Sequence, residues 1–263
     1  MAFLLAGGKR LEYRWLGPRP SAAPTLVFLH EGLGCVSMWR DFPERLVAAT
    51  GCGAMVYSRA GYGASDAVEL PRPLAYMHDE AALLPEILGR LGIERAILVG
   101  HSDGGSIALI HAGSGKTGPS LLGAITEAAH VFCEDISVRA IAAAREAWEQ
   151  GDLRARLGRH HGANVDCAFL GWNRAWLDPG FCAWNIEAYL PAIAVPLLAI
   201  QGEDDEYGTM AQLDAIAAKS GGPVETLRLA ACGHSPHRDQ AEAVLARMAA
   251  FVAARLGHGG AAP

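Results

Sequence analysis

A mostly parallel, doubly wound α/β sheet flanked by helices, with one helical insertion, is the fold class that the sequence predicts. Three observations carry it. Short, fully apolar runs recur along the chain, as in parallel strands covered on both faces. Stretches with apolar residues at helical spacing separate them, and such alternation closes into a parallel sheet through right-handed crossovers. The alternation then fails over 130–190, which reads as helices and is too long for a structureless loop.

The first element is a β-hairpin: Phe3-Leu4-Leu5, a turn at Gly7-Gly8, then Tyr13 to Leu16. After the linker from Pro18 to Pro24, buried strands are predicted at Leu26 to Leu29, Ala54 to Tyr57, Ala96 to Val99, Leu121 to Ile125, Leu197 to Ile200 and Thr226 to Leu229. Helices are predicted at Trp39 to Ala49, Ala75 to Leu91, Ser102 to Ala112, Met210 to Lys219 and Gln240 to Leu256. Pro196 suits the start of its strand, where no ladder bond is lost. The insertion offers helices at Ser137 to Gln150 and Leu153 to His160, and it holds Trp148, Trp172, Trp176 and Trp184. Those indoles either pack the insertion onto the body or line an apolar substrate pocket, for which Trp172, Trp176 and Trp184 are the candidates. The division is therefore a core of 1–129 and 191–263 with a helical cap of 130–190, and the patternless tail from Gly257 is expected to fray.

Composition excludes several functions. With a net charge of -6 and no cluster of Lys or Arg, the surface does not suit nucleic acid. The six cysteines are scattered without a C-x-x-C pair, so reduced, buried thiols are expected rather than disulfides or a zinc site. The start lacks a basic n-region and no window has the length of a membrane span, so the reading is a soluble cytoplasmic protein with no membrane partner. Oligomeric state is left open.

Chemistry concentrates at Gly100-His101-Ser102-Asp103-Gly104-Gly105, between a strand signal and a helix signal. This is the G-x-S-x-G pattern of a nucleophile elbow. The glycines leave room for a serine on a strained strand-to-helix turn, and the N–H of Asp103 falls at a helix N-terminus, where it can meet a developing oxyanion. A serine hydroxyl is a weak nucleophile, so a histidine base and an orienting acid are required. Gly202-Glu203-Asp204-Asp205-Glu206 and Cys232-Gly233-His234-Ser235-Pro236-His237 supply both, each just after a strand.

With these motifs the chain resembles the α/β-hydrolase fold superfamily over nearly its whole length. Leu29-His30-Glu31-Gly32-Leu33-Gly34 with Trp39 is similar to its oxyanion loop, Ser58 to Ser65 to the segment after the next strand, and Gly100 to Gly105 to its elbow. Gly202-Glu203-Asp204-Asp205 is similar to its G-x-x-D and Gly233-His234 to its G-H. The resemblance implies a helical cap at 130–190, Ser102, Asp205 and His234 as catalytic residues, and Gly32 and Asp103 as oxyanion donors. It also marks a departure, because Glu31 stands where the family usually has glycine, either turned outward to adjust the loop or taking part in substrate choice. Asp103 replaces the commoner hydrophobic residue, its charge suited to a helix N-terminus.

The implied activity is cofactor-independent hydrolysis of a carboxylic ester, lactone or thioester, with a small-molecule substrate carrying an apolar part. Carbon-carbon bond hydrolysis by the same residues is the near alternative, and a ligand-binding module that keeps them is the alternative from another class. Other signals are set aside. Gly113-Ser114-Gly115-Lys116-Thr117 resembles a phosphate loop but follows a helix and lacks the first glycine. His160-His161 and His237 read as surface or cap packing, since no second ligand pair accompanies them, and His101 reads as a satisfied buried histidine.

Overall fold

In the computed structural model, which describes residues 2–115 and 120–257, the apolar runs assemble into one eight-stranded sheet. β1 (Ala2–Ala6) and β2 (Lys9–Leu16) form the antiparallel hairpin. Then come β3 (Thr25–Leu29), α1 (Phe42–Thr50), β4 (Gly53–Tyr57), α2 (Tyr76–Arg90), β5 (Arg95–His101), α3 (Asp103–Gly113) and β6 (Ser120–Glu127). Helices α4 (Asp135–Gln150), α5 (Leu153–His161) and α6 (Val165–Trp176) follow, with 3₁₀ turns at Pro179–Ala183 and Glu187–Ala192. β7 (Leu197–Gly202), α7 (Met210–Lys219), β8 (Val224–Leu229), α8 (Pro236–Asp239) and α9 (Ala241–Leu256) close the fold. Lys116 and Thr117 of the phosphate-loop-like segment, and the tail from His258 on, lie outside the described residues.

The sheet order is β1-β2-β4-β3-β5-β6-β7-β8. The hairpin joins through an antiparallel β2–β4 pair and the remaining strands run parallel. From β3 the chain winds to one side, to β4, and then returns to the other side, to β5. That reversal opens a crevice at the strands' carboxyl ends, the place where doubly wound sheets bind ligands. The pairing of Leu29 with Gly100 puts the loop after β3 beside the turn after β5.

Alternation along the strands makes two cores. Val27, Leu29, Met55 and Leu98 face a layer that contains α2, α3 and the Trp-bearing α6, whereas Leu26, Phe28, Val56, Ile97 and Val99 face α1 and α9.

Two local expectations change. The strand at Thr226 to Leu229 is not fully buried: β8 is an edge strand with most side chains partly or fully exposed, and its Glu225 pairs with Arg247 and Arg255 of α9. One neighbouring strand cannot cover what two would. The helix expected from Trp39 is also split, because a 3₁₀ turn at Val36–Trp39 ends at Arg40, whose φ of 54° breaks the run before α1 begins.

Candidate active site

Ser102 stands between β5 and α3 with φ 53° and ψ -120°, a region disfavoured for any residue with a Cβ. Two glycines permit that turn. A Cβ on Gly104 would lie 1.9 Å from the Leu29 carbonyl oxygen, and one on Gly100 would lie 2.3 Å from the Gly104 oxygen. Asp103 is the first residue of α3, so its N–H has no partner within the helix and remains available to an anion.

The crevice brings Ser102, His234 and Asp205 together. His234 Nε2 lies 2.9 Å from Ser102 Oγ, and His234 Nδ1 lies 2.8 Å from Asp205 Oδ1. Of the acidic run, Glu203, Asp204 and Glu206 are exposed and Asp205 is buried. Its Oδ1 accepts the Tyr207 N–H at 2.8 Å and its Oδ2 accepts the Gln201 side-chain amide at 2.6 Å. Burial alone would raise the Asp205 pKa, but the hydrogen bond and charge of His234 outweigh it and hold the carboxyl below its usual range. A carboxylate at Nδ1 assigns the imidazole proton to that nitrogen, which leaves the Nε2 lone pair facing the serine hydroxyl. Such a relay can take the serine proton and return it to a leaving group.

The loop after β3 is fastened by Arg59, which lies in the Ser58 to Ser65 segment. Its guanidinium, fully buried, donates to the Glu31 carbonyl at 2.9 Å and the His30 carbonyl at 3.3 Å. Gly32 of this loop lines the same cavity as Ser102 and Asp103. The Asp103 carboxylate is engaged from the side of α2 and Arg59. Oδ2 accepts the Tyr76 hydroxyl at 2.5 Å and lies 3.9 Å from Arg59, and Tyr76 in turn accepts the Trp176 indole N–H at 3.0 Å. Asp103 is thus a buried anchor between the elbow and α6, beyond a charge at a helix N-terminus. Burial raises its pKa against the opposing Arg59 charge.

Glu31 does not turn outward. Its Oε2 lies 3.5 Å from His101 Nδ1 and its Oε1 3.8 Å from Arg238, while His101 Nε2 contacts the His234 carbonyl at 2.6 Å. Burial opposes both charges, yet the mutual contact prevails: Glu31 is held well below the usual 4.5 and His101 above 6.5. The lowered carboxyl contributes stability above pH 4.5 that is lost as pH falls through its folded value, and the raised imidazole contributes stability below pH 6.5 that is lost as pH rises through its own. Glu31→Gln is therefore expected to cost about 1–3 kcal/mol, most between these two values and less toward pH 8. Denaturant unfolding of both proteins at pH 5.5 and pH 8 checks this, and a cost that grows toward pH 8 would refute the pairing.

A cavity of about 90 Å³ opens over Ser102, walled by Leu33, Ile141, Trp172, Trp176, His130 and Tyr207. That is less than the roughly 150 Å³ of an engineered cavity that admits benzene, so it suits a small group. The Trp172 indole closes over Gly32, where a Cβ would lie 2.2 Å from Nε1. Trp184, expected as a third pocket wall, is not among the lining residues. It stacks on Phe181 with ring centres 5.3 Å apart and an interplanar angle of 8°, in the strap after α6, and Trp148 stacks likewise on Phe169 at 4.0 Å. The sequence shows the indoles but not the direction in which each helix turn aims them. Trp172→Ala should raise the kcat/KM ratio of p-nitrophenyl hexanoate to p-nitrophenyl acetate by at least about tenfold, the worth of a methylene or two of added room. Trp184→Ala should leave that ratio in place, and an unmoved ratio in Trp172→Ala would remove it from the pocket wall.

His160 and His161 fasten the end of α5: His161 Nδ1 accepts the Gly63 N–H at 3.0 Å, Nε2 donates to the Leu33 carbonyl at 2.9 Å, and His160 Nδ1 lies 2.9 Å from the Ser37 hydroxyl. His237 corrects the sequence reading. It is neither at the surface nor in the insertion but buried against Trp39 and Phe42, with Nδ1 2.7 Å from Glu127 Oε2 at the end of β6. Its partner is 110 residues away in sequence, beyond the reach of local pattern. Among the described residues, no group of three or more His, Cys, Asp or Glu is placed to hold a metal ion, and no helix is long and apolar enough to cross a membrane.

Comparison with known proteins agrees with this architecture. The model of the alpha/beta hydrolase family matches residues 26–247. An esterase from Exiguobacterium antarcticum superposes with a TM-score of 0.75 at 20% identity, over 95% of this chain and 98% of the other. The enol-lactonase from Burkholderia xenovorans LB400 superposes with a TM-score of 0.73 at 21% identity, over 95% and 99%. These structural likenesses show the shared fold. In sequence, 2-succinyl-6-hydroxy-2,4-cyclohexadiene-1-carboxylate synthase of Salmonella agona (strain SL483) is 32% identical over 123 residues, a match that spans 47% of this chain and 45% of that relative's length.

Proposed function

The chain belongs to the alpha/beta hydrolase family, and from that premise we propose that it is a serine hydrolase cleaving a carboxylic ester, lactone or thioester through an acyl-enzyme on Ser102. The observation that carries this reading is the unbroken relay from Asp205 through His234 to Ser102 Oγ, with contacts of 2.8 Å and 2.9 Å. His234 takes the hydroxyl proton as Ser102 attacks the carbonyl, and the N–H groups of Gly32 and Asp103 receive the oxyanion. The protonated imidazole then protonates the leaving group, and a water molecule, deprotonated by the same nitrogen, releases the acid. Asp205 stabilises the imidazolium without itself taking the proton. We further read 130–190 as a cap that excludes water from the acyl-enzyme and sizes the substrate, since Trp172 and Trp176 of α6 wall the cavity.

The alternative that the sequence leaves open is that the same residues act on a carbon-carbon bond. Trapping decides between them. Rapid quenching with p-nitrophenyl butanoate, followed by peptide mass spectrometry, should find a butanoyl group on Ser102 and a burst of nitrophenol. Turnover of the ester without an acylated serine, or no turnover of any ester, lactone or thioester in a panel, would reject the first reading.

A further inference from the structure

His130 is a polar group in the reaction cavity that the proposed steps leave without a task. It follows β6, and its backbone is clasped by Ser106 of α3: the hydroxyl donates to the His130 carbonyl at 2.6 Å and lies 3.2 Å from the His130 N–H. The backbone is therefore fixed one helical turn from the nucleophile. The imidazole lines the cavity together with Ser102 and His234, edge-on to Trp176 with 5.1 Å between ring centres, and 5.8 Å from the ring of His234.

Burial pushes this imidazole down to about 3, with the charge of His234 acting in the same sense, so the ring is neutral at neutral pH. A neutral imidazole has one N–H and one lone pair. Nδ1 is buried without a protein partner on the side facing Gly208, where a Cβ would lie 3.5 Å from it. A proton on the sealed Nδ1 would leave a desolvated donor unpaired, whereas Nε2 is not among the sealed, unpartnered atoms of the described residues. The lone pair is accordingly assigned to Nδ1 and the proton to Nε2.

We infer that His130 is a specificity-determining residue whose Nε2–H donates to the substrate, and that the preferred substrates are short esters or thioesters with a second oxygen, as alkoxy, hydroxy or oxo, close to the scissile carbonyl. This rests on the acyl-enzyme reading of the site. The remaining walls, Leu33, Ile141, Trp172 and Trp176, offer a plain alkyl chain good contact but leave the N–H unpaired, and an acceptor oxygen at that point removes the penalty.

The test uses p-nitrophenyl methoxyacetate and p-nitrophenyl butanoate, which differ by one oxygen in place of one methylene, with hydroxide-catalysed rates dividing out their intrinsic reactivities. His130→Phe keeps an aromatic edge on Trp176 and removes both nitrogens, and the corrected kcat/KM ratio of methoxyacetate to butanoate should fall about five- to tenfold, the scale of one neutral hydrogen bond. His130→Gln, whose amide N–H can reach the position of Nε2, should hold the ratio within about twofold of wild type. A ratio unmoved in His130→Phe, or lowered equally in His130→Gln, overturns the inference. Binding of methoxyacetone against its isostere 2-pentanone, followed by tryptophan fluorescence, gives a readout without turnover: the same variant should lose preference for methoxyacetone, and an unchanged preference overturns the inference as well. An ester-inactive wild type would reject the hydrolase reading while the ketone pair still decides the role of His130.

Discussion

Ser102→Ala is expected to lower kcat on a short p-nitrophenyl ester by roughly 10⁵ to 10⁶, the scale for removing a serine that forms the covalent intermediate. The side-chain contact that the substitution deletes is the 2.9 Å approach to His234 Nε2, so the fold should be retained. The backbone at φ 53° is as strained for alanine as for serine, which leaves that cost unchanged. What survives should come from Gly32, Asp103 and substrate positioning, about 10³ to 10⁴ over water. Thermal unfolding near that of wild type together with the kinetic loss would establish the role. Activity within about tenfold of wild type in a well-folded variant would refute it.

Asp205→Asn is expected to cost on the order of 10⁴ in kcat, by analogy with other changes that force the wrong imidazole tautomer. The local hydrogen bonds explain why the amide has no good pose. Tyr207 N–H and Gly208 N–H donate to Oδ1, Gln201 donates to Oδ2, and His234 Nδ1 lies 2.8 Å and 3.0 Å from the two oxygens. An asparagine NH₂ in either position confronts a donor, and where it faces His234 it drives the ring proton to Nε2, which then cannot accept from Ser102. Asp204→Asn touches an exposed carboxylate and should change kcat by less than about threefold, a surface effect. Kinetics of both variants on one ester check the pair, and the reverse ranking would move the acid to Asp204.

Much of this architecture was legible in the chain because its signals are local. Apolar runs such as Leu26 to Leu29 and Ala96 to Val99 mark strands buried on both faces, and Gly100-His101-Ser102-Asp103-Gly104 marks a sharp turn whose flanking positions have no room for a Cβ. The order of serine, acidic loop and Gly-His segment could be read too, since each follows a strand end. Less legible were the buried partners. Nothing near Arg59 signals that it fastens the Glu31 carbonyl, and nothing near His237 signals Glu127. A charged residue two positions beyond an apolar run, as Arg59 is after Tyr57 and Glu127 after Ile125, is a signal of a buried charge that demands a partner.

The sequence by itself determined the alternation of elements, the strained elbow and the identity of the groups at the strand ends, because backbone sterics and hydrophobic periodicity act over a few residues. Only the tertiary structure decided that Trp172 and Trp176 wall the cavity while Trp184 stacks on Phe181, that Glu31 turns in to His101, and that His130 lines the same cavity as Ser102. Those outcomes depend on which side chain fills space left by another element, as where the indole of Trp172 occupies the volume that Gly32 leaves empty, and on the desolvation cost of each buried polar group, which is settled by partners distant in sequence.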